Sequence, residues 1–215
     1  MKNILDQVDS LRDDMVKTLQ EMVQIPTVNP PGEGYDDFKE YFLQLLDRLG
    51  YTTEVIEVPS ERLEELAPFG DGLPRYNIVG RVSGTDKEGQ RVCLNGHYDV
   101  VPAGNGWTVN PFGGELIDGN LYGRGSADMK SGLAMQIFAV EALRRSGVPW
   151  SGEIIQCAVP DEETVGNKNA GTGYLVERGI IGTETTDAVI ITEPFGPNGI
   201  GIGHKGAIWG EITVF

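Results

Sequence analysis

The 215-residue chain carries 32 acidic against 17 basic side chains. The formal net charge of -15 argues against nucleic acid or an anionic membrane as a partner, since both would be repelled. Forty per cent hydrophobic residues suffice for a core, no run is long and apolar enough to span a bilayer, and Met1–Asp6 lacks the apolar stretch of a signal peptide, so a cytoplasmic address is expected.

Apolar residues at Leu5, Val8, Leu11, Met15, Val16, Leu19, Met22 and Val23 predict one amphipathic helix over Ile4–Val23. Pro26, Pro30, Pro31 and Gly32 end that pattern, and a second helix is expected over Tyr35–Leu49, closed by Gly50. Tyr51–Val58 reads as a strand, and the acidic stretch Pro59–Pro74 as a surface loop. Tyr76–Val82 and Arg91–Asn95 read as strands joined by the turn-rich Ser83–Gly89. Val100–Arg124 reads as a long ordered loop with a small hairpin near Glu115–Tyr122, followed by an apolar helix over Gly132–Leu143.

A strand at Glu153–Val159, a helix near Thr172–Arg178 and a strand at Ala188–Thr192 complete the alternation. Gly199–Phe215 reads as two strand-like runs broken at Lys205-Gly206. The pattern predicts an α/β fold in which helices flank a largely parallel mixed sheet. Cys93 and Cys157 each lie in an apolar strand-like run and read as buried small hydrophobes; no disulfide is implied.

Sites in open α/β sheets form beyond the carboxyl ends of strands. Those ends here carry His97-Tyr98-Asp99, Asp161-Glu162-Glu163 and Glu193-Pro194, while Asp128 lies in a glycine-rich loop before the apolar helix. His97 and Asp99 point the same way if the extended backbone continues past Gly96, which suits an imidazole metal ligand backed by a carboxylate. The same His-x-Asp also describes a histidine simply hydrogen-bonded at a strand end. Asp128 equally describes a helix N-cap, and the acidic triplet a solvated turn. Together, however, one histidine, one aspartate able to reach two cations, and two glutamates form a shell that suits two zinc ions, with cobalt or manganese as substitutes. One glutamate of the 162–163 pair would bind metal and its neighbour carry protons.

The motifs His97-Tyr98-Asp99-Val100-Val101-Pro102, Gly123–Gly132, Asp161-Glu162-Glu163-Thr164 and Glu193-Pro194 occur in one order and spacing. In this the chain resembles the co-catalytic zinc metallopeptidases that include acetylornithine deacetylase, succinyl-diaminopimelate desuccinylase, aminoacylase and glutamate carboxypeptidase. The resemblance runs from about Val8 to the end. It implies a zinc-exopeptidase-like catalytic domain and a hydrolase acting on amide bonds of N-acyl amino acids or small peptides. His97 and Glu193 would hold one zinc, Glu163 the other, and Asp128 would bridge them. Asp99 would orient His97, and Glu162 would act as general base and acid. A cis peptide at Asp128–Met129 is also implied.

The family takes a further histidine from a much longer chain, whereas the second histidine here, His204, reads as a structural or outer-site residue. Residues 1–205 are therefore expected to form the N-terminal portion of the catalytic domain, and 206–215 the start of a truncated lid or dimerisation domain. On that reading the piece alone is inactive, and the intact protein is a homodimer through the missing lid. Trp107, Pro111 and Phe112 would line the cleft or serve packing. The competing class is a non-catalytic metal-binding remnant or scaffold. A dinucleotide enzyme is set aside, because the glycine-rich loops do not follow a first strand with the required spacing.

Overall fold

A computed structural model describes residues 2–164 and 170–194. His204, the strand runs within 199–215 and the expected 206–215 domain lie outside the described residues. The elements are α1 (Lys2–Ser10), α2 (Arg12–Val23), α3 (Tyr35–Arg48), β1 (Thr52–Glu57), α4 (Leu63–Leu66), β2 (Tyr76–Ser83), β3 (Asp86–His97), β4 (Glu115–Ile117), β5 (Asn120–Tyr122), α5 (Lys130–Arg145), β6 (Ser151–Val159), α6 (Thr172–Glu177) and β7 (Ala188–Ile191).

Five strands form one sheet in the order β1-β2-β6-β3-β7, and β4 with β5 form the small hairpin expected near residue 118. The sheet is mixed: β1–β2 and β2–β6 are antiparallel, whereas β6–β3 and β3–β7 are parallel. Successive residues of its central strands enter opposite cores, as a period of two requires. Ile78, Leu94 and Ala158 join one core with Phe38, Phe42, Leu133 and Ile137 from α3 and α5. Val79, Cys93 and Cys157 join the other with Leu63, Leu66, Tyr174 and Leu175 from α4 and α6. Helices thus cover both faces of the sheet, the arrangement expected where parallel strands are buried on both sides.

Three expectations change in detail. The first helix is broken at Leu11 (φ -94°, ψ 0°), which is fully buried. There the Ser10 hydroxyl donates to the Gln7 carbonyl at 2.7 Å, and the Leu11 N–H is shared between the Gln7 and Val8 carbonyls. A serine competing for a helical carbonyl perturbs the turn in this way. Pro59–Pro74 is not a plain surface loop. It holds a 3₁₀ turn at Ser60–Arg62 and then α4, because Leu63, Leu66 and Ala67 bury their side chains against the sheet. The strand expected at Arg91–Asn95 extends to Asp86–His97 and so includes His97 itself.

Two glycines bring α5 close to the strand ends. A Cβ on Gly132 would lie 2.5 Å from the backbone oxygen of Thr192, and one on Gly96 would lie 2.9 Å from Leu133 and Met129. These close approaches hold the loop preceding α5 beside the ends of β3 and β7. Cys93 and Cys157, on neighbouring strands, are fully buried with their sulfurs 3.7 Å apart. Among the described residues no helix is long and apolar enough to cross a membrane.

Candidate metal centre

His97 closes β3 level with Val159 at the end of the parallel neighbour β6. The next carboxylates along β6 and β7, Glu162, Glu163 and Glu193, therefore leave the same rim of the sheet. Asp128 arrives from the loop that the glycines hold against it. The result is convergence on one imidazole: His97 Nε2 lies 3.0 Å from Asp128 Oδ1, 3.7 Å from Glu193 Oε1 and 3.8 Å from Glu162 Oε2. One ligand atom each from His97, Asp128 and Glu163 lies within 4.8 Å of the others. Five of the six residues expected at the centre thus meet around Nε2, and the sixth, Asp99, lies on the Nδ1 side of the ring. The Asp128–Met129 peptide is cis, and Asp128 is not a helix cap, since the N-cap of α5 is Met129 and makes no side-chain cap bond.

Asp99 is fully buried behind the imidazole. His97 Nδ1 lies 3.0 Å from the Asp99 carbonyl and 3.4 Å from its Oδ1. The carboxylate also accepts the backbone N–H of Glu162 at 3.2 Å and of Glu163 at 3.1 Å. One side chain therefore contacts the imidazole and the two-glutamate segment together. Trp107 donates its indole N–H to the Ala103 carbonyl and lies under the Arg124 guanidinium, 5.5 Å from ring centre to Arg124 Cζ.

The electrostatics of this cluster call for a cation. Burial alone would depress the His97 pKa, but hydrogen bonds to Asp128 and Asp99 and the charges of Asp99 and Glu193 push it up to about 11. Burial raises Glu163 to about 7, aided by the negative charge of Asp128. Glu193 also stands at about 7, raised first by burial, with His97 opposing and Asp128 and Glu162 adding to the rise. Asp128 is lowered chiefly by its hydrogen bond to His97. One imidazolium shared among Asp128, Asp99 and Glu193, with two glutamates driven toward their neutral form, leaves the acidic cluster short of positive charge. Its donors, one nitrogen and several carboxylate oxygens, are those that zinc, cobalt or manganese accept. The residues fit a metal.

The sequence reading missed the support of this centre. Asp161 does not join the acidic cluster: it turns inward with φ of +61° and pairs with Arg75, both side chains fully buried, at 2.8 Å. A buried ion pair needs further hydrogen bonds to be tolerable. Arg75 supplies them by donating to the carbonyls of Leu73 and Pro31 at 2.9 and 2.7 Å. Lys130 is likewise fully buried and donates to the carbonyls of Met22 and Ile25, tying the end of α2 to the start of α5. Burial lowers its pKa to about 7, with the charge of Asp99 opposing. The one signal available was composition: Arg75 directly follows Pro74 after an acidic segment, and Lys130 sits inside a glycine- and serine-rich motif.

Comparisons with known proteins agree with this geometry. The chain is 35% identical over 211 residues to succinyl-diaminopimelate desuccinylase of Rhodospirillum centenum, covering 93% of this chain and 49% of the relative. It is 32% identical over 212 residues to the enzyme of the same name from Wolinella succinogenes, covering 95% and 50%. The chain thus spans about half the length of the curated relatives it matches. Among solved structures it is similar to human carnosine dipeptidase 1, with a TM-score of 0.69 at 26% identity over 89% of this chain and 41% of that one. The fold is also that of the di-peptidase Dug1p from Saccharomyces cerevisiae, with a TM-score of 0.74 at 24% identity over 89% and 40% of the two chains. Residues 93–213, more than half of the sequence and the stretch that carries every residue of the centre, match one family description, and the chain belongs to peptidase family M20/M25/M40.

Proposed function

We propose that the complete protein is a metal-dependent hydrolase that cleaves the amide bond of N-acyl amino acids or small peptides. The observation that carries this reading is the convergence of His97, Asp128 and Glu163 within 4.8 Å, with Glu162 and Glu193 beside the same imidazole. Family membership and the desuccinylase relatives support it. His97 and Glu193 would hold one divalent ion, Glu163 the other, and Asp128 would serve both. When bound, such ions supply Lewis-acid polarisation of a carbonyl and make water acidic near neutral pH.

The remaining chemistry falls to the chain's own groups. The Glu162 side chain is 59% exposed and stands 3.8 Å from His97 Nε2, at the open side of the cluster. Its carboxylate takes a proton from the attacking water and returns it to the departing amine nitrogen. Asp99 keeps the imidazole oriented and, through the two N–H groups it accepts, holds Glu162 and Glu163 at their places.

The direct test is an assay of the complete protein, loaded with zinc, cobalt or manganese, on N-succinyl and N-acetyl amino acids and on dipeptides. Amine release that stops with a chelator and resumes with added ion is expected. Ion binding without hydrolysis of any of them would leave the scaffold reading in its place.

Ion binding also carries a pH signature. His97 at about 11 holds a proton at pH 7, and Glu163 and Glu193 at about 7 are each half-protonated. All three must be proton-free to act as ligands, so loading at pH 7 releases about two protons and loading at pH 9 about one. Affinity accordingly rises with pH. Calorimetric titrations in buffers of different ionisation enthalpy measure both counts, and a count that stays the same at the two pH values shows that Glu163 and Glu193 are already ionised before the ion arrives.

A further inference from the structure

A second polar cluster lies behind the centre, and apart from Asp99 the chemistry above gives its members no role. Beyond the end of β3, Thr27–Asn29 runs beside Tyr98–Val100: Val28 bridges Val100, the Asn29 N–H donates to the Val100 carbonyl, and the Val100 N–H donates to the Thr27 carbonyl, each at 2.9 Å. This places the fully buried Asn29 amide between two buried carboxylates. Its Nδ2 donates to Asp99 Oδ2 at 3.0 Å and to Asp161 Oδ1 at 2.8 Å. Both neighbours are acceptors, so only this orientation of the amide satisfies them. The cost is visible on its other side, where Asn29 Oδ1 is buried with no partner.

The contacts of Asn29 point to the centre. Asp161 is fixed at one end by Arg75 and by the Tyr35 hydroxyl at 3.1 Å, and it directly precedes Glu162 and Glu163. Asp99, at the other end, receives the N–H groups of those two glutamates and faces His97. Asn29 joins the anchored start of the glutamate segment to the carboxylate that holds the imidazole.

We propose that Asn29 is a positioning residue: through Asp99 and Asp161 it fixes where Glu162 and Glu163 stand relative to His97. This role rests on the hydrolase reading above. In the complete protein, Asn29→Ala removes both donated bonds, and Asn29→Asp sets a third carboxylate between two others. Outer-shell partners of this kind change ion affinity or turnover by about 10–100-fold, so a kcat loss of that size per folded, ion-saturated molecule is expected, with KM nearly unchanged. The visible absorption of the cobalt-loaded protein should shift as well, since the ligands move.

A merely structural role predicts a lower Tm with kcat per folded molecule, ion affinity and cobalt spectrum unchanged; that result overturns the proposal. Should neither Asn29 variant fold, Tyr35→Phe decides, because it deletes only the hydroxyl on Asp161 while its ring keeps its edge contact with Tyr98. A smaller kcat loss in the same direction supports the role, and unchanged kcat overturns it. A wild-type protein that neither binds ions nor hydrolyses removes the hydrolase reading and this role together. An active wild type with unaffected variants removes only this role.

Discussion

Replacing Glu162 with glutamine lowers turnover by about 10²–10⁴-fold, the usual contribution of a positioned acid–base group, while the bound ions remain. The separation of the two outcomes follows from geometry. Glutamine keeps the shape of the side chain and leaves the backbone N–H of residue 162 on Asp99 Oδ1, so the neighbouring Glu163 keeps its place. What is lost is the ability to accept a proton and give it back. Glu162 stands on the open side of the cluster with its side chain 59% exposed, whereas His97 is 1% exposed behind it. The measurement pairs kcat with ion content by elemental analysis. Unchanged turnover takes the proton-carrying role away from Glu162; lost ions would place it among the ligands instead.

Asp128→Asn has the opposite signature: ion content and turnover fall together. Outer-shell residues already account for about 10–100-fold, and loss of a direct ligand is expected to exceed that range. Asparagine removes one negative charge and one of two oxygens able to meet a cation, at a position 3.0 Å from His97 Nε2. Equilibrium dialysis should find fewer ions per chain. The metal-free variant offers an independent reading, because the hydrogen bond to Asp128 helps raise the His97 pKa. That pKa should drop in the variant, which proton NMR of the imidazole follows. Full ion occupancy with an unmoved imidazole would deny Asp128 its place between the cations.

The parts of this centre that lie at strand ends were legible in the sequence. His97, Glu162, Glu163 and Glu193 each follow an apolar run, and the rim rule gathers such positions without knowledge of long-range contacts. Asp128 needed its glycine-rich surroundings as well. The Asp161–Arg75 pair was hidden, because it joins positions 86 apart and depends on a left-handed backbone at Asp161 that turns one member of an acidic triplet away from its neighbours. Asn29 was hidden for the same reason, being 70 residues from Asp99 and 132 from Asp161. Among the secondary elements, α4 escaped because Leu63 and Leu66 are too few to set a period; only the sheet face they cover gives them helical company. The break at Leu11 depends on one serine hydroxyl, a detail below the reach of apolar spacing.

The thiols have a practical consequence for anyone handling the protein. Cys93 and Cys157 are the chain's only cysteines, and both are sealed inside the core between the sheet and the helices α4 and α6. Thiolate chemistry needs access, so aromatic disulfide reagents should titrate no sulfur while the sheet is intact and two once it opens. The molecule thus contains a colorimetric clock for its own unfolding, with no dye or added label.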